Sequence, residues 1–483
     1  MPDPIVSVAQ MREIEARSWA AGRIQSEVIR AAGLEVARVV VRVTRPGGPV
    51  LVLAGHGHNG DDAVEVAAAL GDREVRLLRI AEPGALSAAC AWLHLHSATP
   101  GALVVDGLFG IGLNRPVSGG SAELIAAVNR SRIRVVSVDV PSGLDADTGA
   151  VHGIAVEAWI TVTLGAVKRG LLVEDAARYV GRLELARDIG LSGSEDVVGR
   201  GDGCWTVAGD FVGFPPRRPV WGHKGTFGHV ALVAGSEGYH GAAVLAAMAA
   251  LRARPGLVTV FTQERSFVPV ASQLRAAMVR PWDGEPIEDP TFSAIVIGPG
   301  LASPRMDIRC RLEVQRLWRS ARCPVVVDAS ALDWLGGDST EGAGIRVITP
   351  HPGEAGRLLG IDAAAVQRDR FLAVRKLSEA WKQLRVIAVL KGRHTLVSGR
   401  DEPVFVNPSG NSGLAQGGSG DVLAGFLGGL LAQPALAADA MQAVRYAVWW
   451  HGAAADFLES SGRTWTVDDL VEALGHPHSA GVG

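Results

Sequence analysis

The residues best placed to do chemistry lie in 407–425, NPSGNSGLAQGGSGDVLAG, where Gly417, Gly418, Ser419 and Gly420 directly precede Asp421 and an apolar helical run, 422–431. Glycines let several backbone N–H groups turn toward one point, and the helix dipole adds partial positive charge there. Such a nest suits a transferring phosphoryl group or a diphosphate. Asp421, in the first turn, could take a proton from a substrate hydroxyl. The same letters also spell a Gly-rich turn with Asp as a helix cap. Other strand ends weigh against that plainer reading. Lys391, Gly392, Arg393, His394 and Thr395 follow an apolar run. Gly298-Pro299-Gly300 ends another, and TPHPGE (349–354) offers His351 and a carboxylate. Gly235-Ser236 and Gly241-Ala242-Ala243 flank a loop before an Ala-rich helix. A lone His351 or Lys391 is more often structural, but four such motifs at one sheet edge exceed what packing requires.

The first half repeats the pattern. GHGHNGDDA (55–63) leaves a strand and enters an Ala-rich helix, Asp106 ends the next strand and leads into GLFGIGLNRP (107–116), and DVPSGLD (139–145) ends another. The oxygens of Asn59, Asp106 and Ser142 at adjacent strand ends could ligate a monovalent or hard cation. Each is also a common turn former.

The elements that position these groups follow from hydropathy. Continuous apolar runs occur at 49–55, 103–106, 134–139, 159–165, 228–236, 257–262, 294–300, 324–328 and 386–392. Such runs mean strands covered on both faces. Ala-rich helical stretches such as 63–70 and 242–252 separate them, which predicts α/β architecture with parallel sheets between helical layers. At 483 residues the chain should hold two or three domains. The stretch 200–219, RGDGCWTVAGDFVGFPPRRP, breaks the rhythm, so the expected domains are 1–215 and 216–478. Residues 476–483 are expected to fray.

With 48% hydrophobic and 20% charged residues and a net charge of −3, the composition is that of a soluble globular protein, with no basic tract for nucleic acid. Four scattered cysteines, without CxxC spacing, fit a reducing compartment and argue against structural zinc. Mean hydropathy is +0.20, yet no segment approaches the ~18 uninterrupted apolar residues of a membrane span. The start, MPDPIV, lacks a signal-peptide pattern, so a cytoplasmic protein is expected.

The ordered set HKGTFGHVALVAGS, GAAVLAAMAALR, IGPG, VVDASAL, TPHPGE, LKGRHT and GLAQGGSGDVLAG, from about 223 to 456, resembles the ADP- or ATP-dependent NAD(P)HX dehydratases of the ribokinase-like superfamily. The resemblance implies that Lys391, Gly392, Arg393, His394, Thr395 and Gly420 contact the nucleotide. It places Ala242, Gly300, His351 and Asp421 at the hydrated nicotinamide, with ADP or ATP as phosphoryl donor and Mg²⁺ on the nucleotide. Departures are mild: Ser330 for a second Asp, and Ser419 and Gln416 for Thr.

VDGLFGIGLNRPVSG, VVSVDVPSGLDADTG and LGAVKRGLL, within about 10–190, resemble the NAD(P)HX epimerases, a Rossmann-like fold usually fused to the dehydratase. Carried over, Asn59, Asp106 and Ser142 would bind K⁺. His58, Asn59, Gly60, Asp61, Asp62, Gly110, Ile111, Gly112, Leu113, Asn114, Arg115, Pro116 and Asp139 would hold the substrate, with Asp139 moving the proton. Here the departures are larger. The family loop GxGNNGGDG carries His58, Asp61 and Ala63 in place of Asn, Gly and Gly, and IRAAG (29–33) replaces MENAG. Paired acids at 61 and 62 would repel a diphosphate, which predicts weakened epimerisation. The expected protein is a bifunctional repair enzyme with a small-molecule substrate, assembling as a homo-oligomer. The alternative is a small-molecule kinase whose first half is a non-catalytic binding or oligomerisation module.

Overall fold

The computed structural model describes residues 3–80, 82–192, 203–288, 290–336 and 344–476, and divides into two compact units, Met1–Trp205 and Thr206–Gly483. The sequence reading sets the boundary near 215. The structure divides earlier because the residues after Trp205 already pack into the second unit. Phe211 meets the rings of Tyr446 and Trp449 at centroid distances of 5.5 and 5.3 Å, and Asp210 pairs with Arg445. Residues 200–202 of the boundary segment and 477–483 of the tail lie outside the described residues.

In the first unit, six parallel strands run in the order Glu74–Arg79, Pro49–Ala54, Leu103–Gly107, Arg134–Val138, Ile160–Leu164, Arg182–Ala186. The continuous apolar run at 49–54 serves two cores at once. Val50, Val52 and Ala54 face one, built on helices Gln25–Val43 and His58–Ala69. Leu51 and Leu53 face the other, under Ala85–His96 and Gly119–Ser131. The chain order reverses beside Pro49–Ala54, so the loops leaving it and Leu103–Gly107 splay apart into a crevice. A further ladder places Asp3–Val6 between Val167–Lys168, parallel, and Gly203–Trp205, antiparallel.

The second unit is also three-layered. Its parallel strands run Met278–Pro281, Leu257–Thr262, His229–Val233, Ala294–Ile297, Val325–Val327, Arg346–Ile348, Val386–Leu390. Antiparallel Leu396–Gly399 and Phe405–Val406 extend one edge. The reversal here falls between His229–Val233 and Ala294–Ile297. Helices His240–Arg252 and Ser419–Leu431 pack closely because their contact residues are small: a Cβ on Gly425 would run into the Ala246 carbonyl, and one on Gly429 would lie 2.5 Å from that of Ala250. Among the described residues no helix is long and apolar enough to cross a membrane.

Candidate active sites

In the second unit the strand ends converge as the motifs suggest. Gly298 adopts φ +128°, and a side chain there would collide with the Asp328 carbonyl, so glycine lets these two strand ends touch. Gly300 follows at φ +68°, its Cβ position 2.9 Å from the Ala242 methyl, and its carbonyl accepts the Ser236 hydroxyl at 2.6 Å. Ala242 and Gly300 are thus neighbours at the reversal point. Asp328, buried at the end of Val325–Val327, receives Thr349 Oγ1 and Lys391 Nζ on its Oδ1, each at 2.7 Å. Gly420 closes the ring: a Cβ there would lie 3.4 Å from Lys391 Nζ and 3.7 Å from Asp328 Oδ2.

Asp421 stands in the first turn of Ser419–Leu431, whose N-cap Gly418 has φ +97°. Burial, reinforced by the Asp328 carboxylate and opposed by Lys391, pushes its carboxyl up to about 6. Burial disfavours the Lys391 charge, but the carboxylates of Asp328 and Glu354 outweigh it and hold the ammonium above its ordinary range. A cation, a general-base candidate poised near neutrality and a helix N-terminus therefore share one spot, an arrangement suited to moving a phosphoryl group onto a hydroxyl.

The nucleotide-type loop is held from behind. The Arg370 guanidinium donates to the carbonyls of Leu390 and Lys391, at 3.3 and 3.4 Å, and to that of Arg393. His394 takes a left-handed φ of +51°, and the Thr395 hydroxyl donates back to the Gly392 carbonyl at 3.1 Å. His351 serves its own helix. Its Nδ1 accepts the N–H groups of Gly353 and Glu354 as the N-cap of Pro352–Leu359, leaving Nε2 3.3 Å from Glu354 Oε1. Its ring remains half exposed.

The first unit holds a cavity of about 750 Å³ at its own reversal point. His58, Asn59, Asp62, Asp139 and Gly110 through Arg115 line it; Gly60, Asp61 and Pro116 are not among the lining residues. Gly60 packs against the Gly55 carbonyl, where any Cβ would collide, and Asp61 is exposed. Of the two carboxylates expected to repel a diphosphate, that of Asp62 lines the cavity and that of Asp61 does not. Ala63, another departure, is buried with its methyl where a Cβ on Gly107 would otherwise sit. Gln25 Nε2 lies 2.9 Å from His58 Nε2, joining two helices at the cavity.

Asp139 has a left-handed φ of +63°, a strained backbone for a non-glycine residue. Its Oδ1 accepts from the Leu164 N–H at 3.0 Å, from Thr163 Oγ1 at 3.2 Å and from the Lys168 ammonium. Lys168 is itself buried and donates at 2.7 Å to the Leu164 carbonyl. All these donors meet one oxygen, and the residue lines the cavity.

Asn59, Asp106 and Ser142 meet around Phe109. Asp106, fully buried, accepts Ser142 Oγ at 2.6 Å and the Ser142 N–H and Ser137 Oγ at 2.9 Å. Asn59 Nδ2 donates to the Phe109 carbonyl at 3.0 Å, and Ser142 Oγ lies 3.3 Å from the same oxygen. Burial raises the Asp106 carboxyl, with the Ser142, Ser137 and Leu108 donors acting against it. One buried carboxylate set among amide, hydroxyl and carbonyl oxygens fits a hard, singly charged cation such as K⁺. Among the described residues there is no cluster of three or more His, Cys, Asp or Glu that could hold a metal ion.

Sequence reasoning passed over Lys168, Asp328 and Arg370. Lys168 left a trace as half of the Lys168-Arg169 pair in the otherwise apolar LGAVKRGLL, and Asp328 as the strand-ending acid of VVDASAL. Arg370 left none.

Comparison with known proteins finds matches for both halves of the chain. Residues 230–475 match the family model described as NAD(P)H-hydrate dehydratase, and residues 25–170 match that of the YjeF-related protein N-terminus. A bifunctional NAD(P)H-hydrate repair enzyme of Gloeobacter violaceus is 37% identical, covering 98% of this chain and 96% of the relative. That of Escherichia coli is 36% identical over 88% of this chain and 84% of its own length. An ADP/ATP-dependent NAD(P)H-hydrate dehydratase from Bacillus subtilis, co-crystallised with ATP and Mg²⁺, is 32% identical with a TM-score of 0.48, covering 54% of this chain and 91% of that one. With both halves matched in order along nearly the whole length, the chain belongs to the family of bifunctional NAD(P)H-hydrate repair enzymes.

Proposed function

We propose that the protein repairs hydrated NADH and NADPH, the second unit dehydrating the (S)-hydrate at the expense of ADP or ATP and the first interconverting the C6 epimers. The observation that carries it is the meeting of Lys391, Asp328, Gly420 and Asp421 at the N-terminus of Ser419–Leu431. Hydroxide leaves C6 poorly, so the hydroxyl must first become a better leaving group. Asp421 takes the hydroxyl proton as the phosphoryl group arrives, with Lys391 and the backbone N–H groups around Gly418–Gly420 balancing its charge. Phosphate then departs with the C6–O electron pair as the N1 lone pair forms C6=N1, C5 gives its proton to the departing phosphate, and the C5–C6 double bond of the dihydropyridine returns as the C6=N1 pair goes back to N1. Lys391–Thr395 and Gly420 hold the nucleotide; Ala242, Gly300 and His351 border the nicotinamide. The oxygens of Asp328 and Glu354 offer the hard donors that suit Mg²⁺, which when bound with the nucleotide supplies neutralisation of its phosphates.

In the first unit, Asp139 transfers a proton as the C6 centre inverts, while His58–Asp62 and Gly110–Pro116 surround the substrate. Asn59, Asp106 and Ser142 hold K⁺, which supplies a fixed positive charge beside the cavity. Homo-oligomeric assembly in the cytoplasm completes the reading.

The test is incubation with both C6 epimers of hydrated NADH, Mg²⁺ and either ADP or ATP, following NADH absorbance. Recovery with at least one nucleotide, consuming both epimers, is expected. No recovery with either nucleotide sinks the dehydratase reading, and a stable phosphorylated product replaces it with a small-molecule kinase.

A further inference from the structure

Asp62 is more than nine-tenths buried, lines the cavity of the first unit, and its carboxyl makes no hydrogen bond to the described residues. A buried carboxyl without a partner costs folding free energy whether charged or neutral. Its position on His58–Ala69 does not require an acid for packing, since the helix is anchored through Ala63, Val66 and Leu70. Its neighbour lining the same cavity has the opposite arrangement: Asp139 receives Lys168, Leu164 and Thr163 on Oδ1. Two acids thus line one cavity, one held by a buried ammonium and two further hydrogen-bond donors, the other given no hydrogen-bond donor among the described residues.

We propose that Asp62 is the proton donor of the epimerisation, working against Asp139 as the proton acceptor. The inference rests on the epimerase reading of the first unit. C6 of the hydrate carries the hydroxyl, a hydrogen, C5 and N1. Asp62 gives its proton to the hydroxyl oxygen, the C6–O bond breaks with its electron pair leaving on water, and the N1 lone pair forms C6=N1. A solvent water then adds to the other face of C6, its oxygen supplying the electron pair of the new C6–O bond as the C6=N1 pair returns to N1, and Asp139 accepts the surplus proton. One water leaves and one enters. The proton lost by Asp62 is matched by the one gained at Asp139, and exchange with water returns both acids to their starting states before the next turnover in the same direction.

The charges facing Asp62 agree with a neutral acid. Burial acts first, then Asp139 and Asp61, with Lys168 opposing and Glu15 of Val8–Ala20 adding to the rise; together they push the carboxyl up to about 8. Pairs of acids whose surroundings drive their proton affinities apart are a general means of obtaining an acid and a base in one site.

The experiment uses the full chain without nucleotide and separates the two C6 epimers of hydrated NADH chromatographically over time. Wild type is expected to interconvert them, to incorporate ¹⁸O from labelled water at C6, and to lose rate above pH ~8 as the donor ionises. Asp62→Asn should retain hydrate affinity within a few-fold while its rate falls by about 10²-fold or more. An Asp62→Asn protein that epimerises at the wild-type rate overturns the inference and leaves the epimerase reading standing. Should the variant fail to fold, a wild-type rate that does not fall from pH 7 to 10, or product free of ¹⁸O beyond the uncatalysed background, overturns it equally. A wild type that never interconverts the epimers removes the reading and the inference together.

Discussion

Lys391 Nζ lies 2.7 Å from Asp328 Oδ1, joining residues 63 positions apart at the ends of strands separated by Arg346–Ile348. The same carboxylate oxygen receives Thr349 from that intervening strand. One buried acid therefore fixes three adjacent strand ends. Removing it leaves the Lys391 ammonium facing Glu354 at 3.9 Å as its remaining ion-pair partner among the described residues.

Asp328→Ala is accordingly expected to cost about 3–5 kcal/mol of stability, the usual penalty for breaking a buried pair from one side. The lost stability should be read in urea melts at pH 7. Lys391→Met should be milder in stability but should weaken nucleotide binding, measured by calorimetry. An Asp328→Ala protein as stable as wild type would show that the pair bears no structural load.

Asp421 must be ionised to accept a proton, so the dehydration rate should fall as pH drops through about 6, where its carboxyl titrates. The stability effect has the opposite sense. Its folded value exceeds the ordinary aspartate value of 3.8, so the group destabilises the folded state fully above about 6 and not at all below 3.8. Asp421→Asn should therefore abolish NADH recovery, by about 10²-fold or more, while stabilising the protein at pH 7 by up to ~3 kcal/mol. Thermal melts of the two proteins at pH 4 and 7 check the sign, since the gap should be wider at pH 7.

Asp61→Gly restores the residue usual in the family loop. Because Asp61 is exposed and does not line the cavity, the change should alter hydrate affinity by no more than a factor of roughly two, about 0.5 kcal/mol. A tenfold tightening would mean that its charge does reach the substrate.

Lys168→Met deprives Asp139 of its buried counter-charge. The loss should destabilise the protein by about 3–5 kcal/mol, read in urea melts, and should slow epimerisation by the protein that remains folded. A variant as stable and as fast as wild type would show that the pair serves neither role.

For the cation, epimerisation at constant ionic strength should rise with K⁺ over choline, and Asp106→Asn should lose this dependence. Equal rates in choline and K⁺ would contradict the assignment of Asn59, Asp106 and Ser142.

The strands were legible because double-faced burial writes itself as unbroken apolar letters, as in PVLVLA at Pro49–Ala54. The loop 417–421 was legible because glycine and a following acid before an apolar helix have few other uses. Side-chain direction was not. Asp61 and Asp62 are adjacent letters, yet the helical turn between them puts one in solvent and the other in the cavity wall. His351 reads as a ligand, and no letter of the sequence tells that its Nδ1 also caps its own helix by accepting two N–H groups. Arg370 was invisible because the carbonyls it holds lie 20 or more positions away and carry no side-chain signature.

The close seam between His240–Arg252 and Ser419–Leu431 has a consequence for inherited or selected variants of this protein. Gly425 and Gly429 lie one and two turns beyond Asp421, on a surface with no room for a methyl group. A glycine-to-alanine change there, conservative by any substitution table, would tilt the helix that aims Asp421. A genetic screen would score it as a lost active site, although the altered atom never meets a substrate.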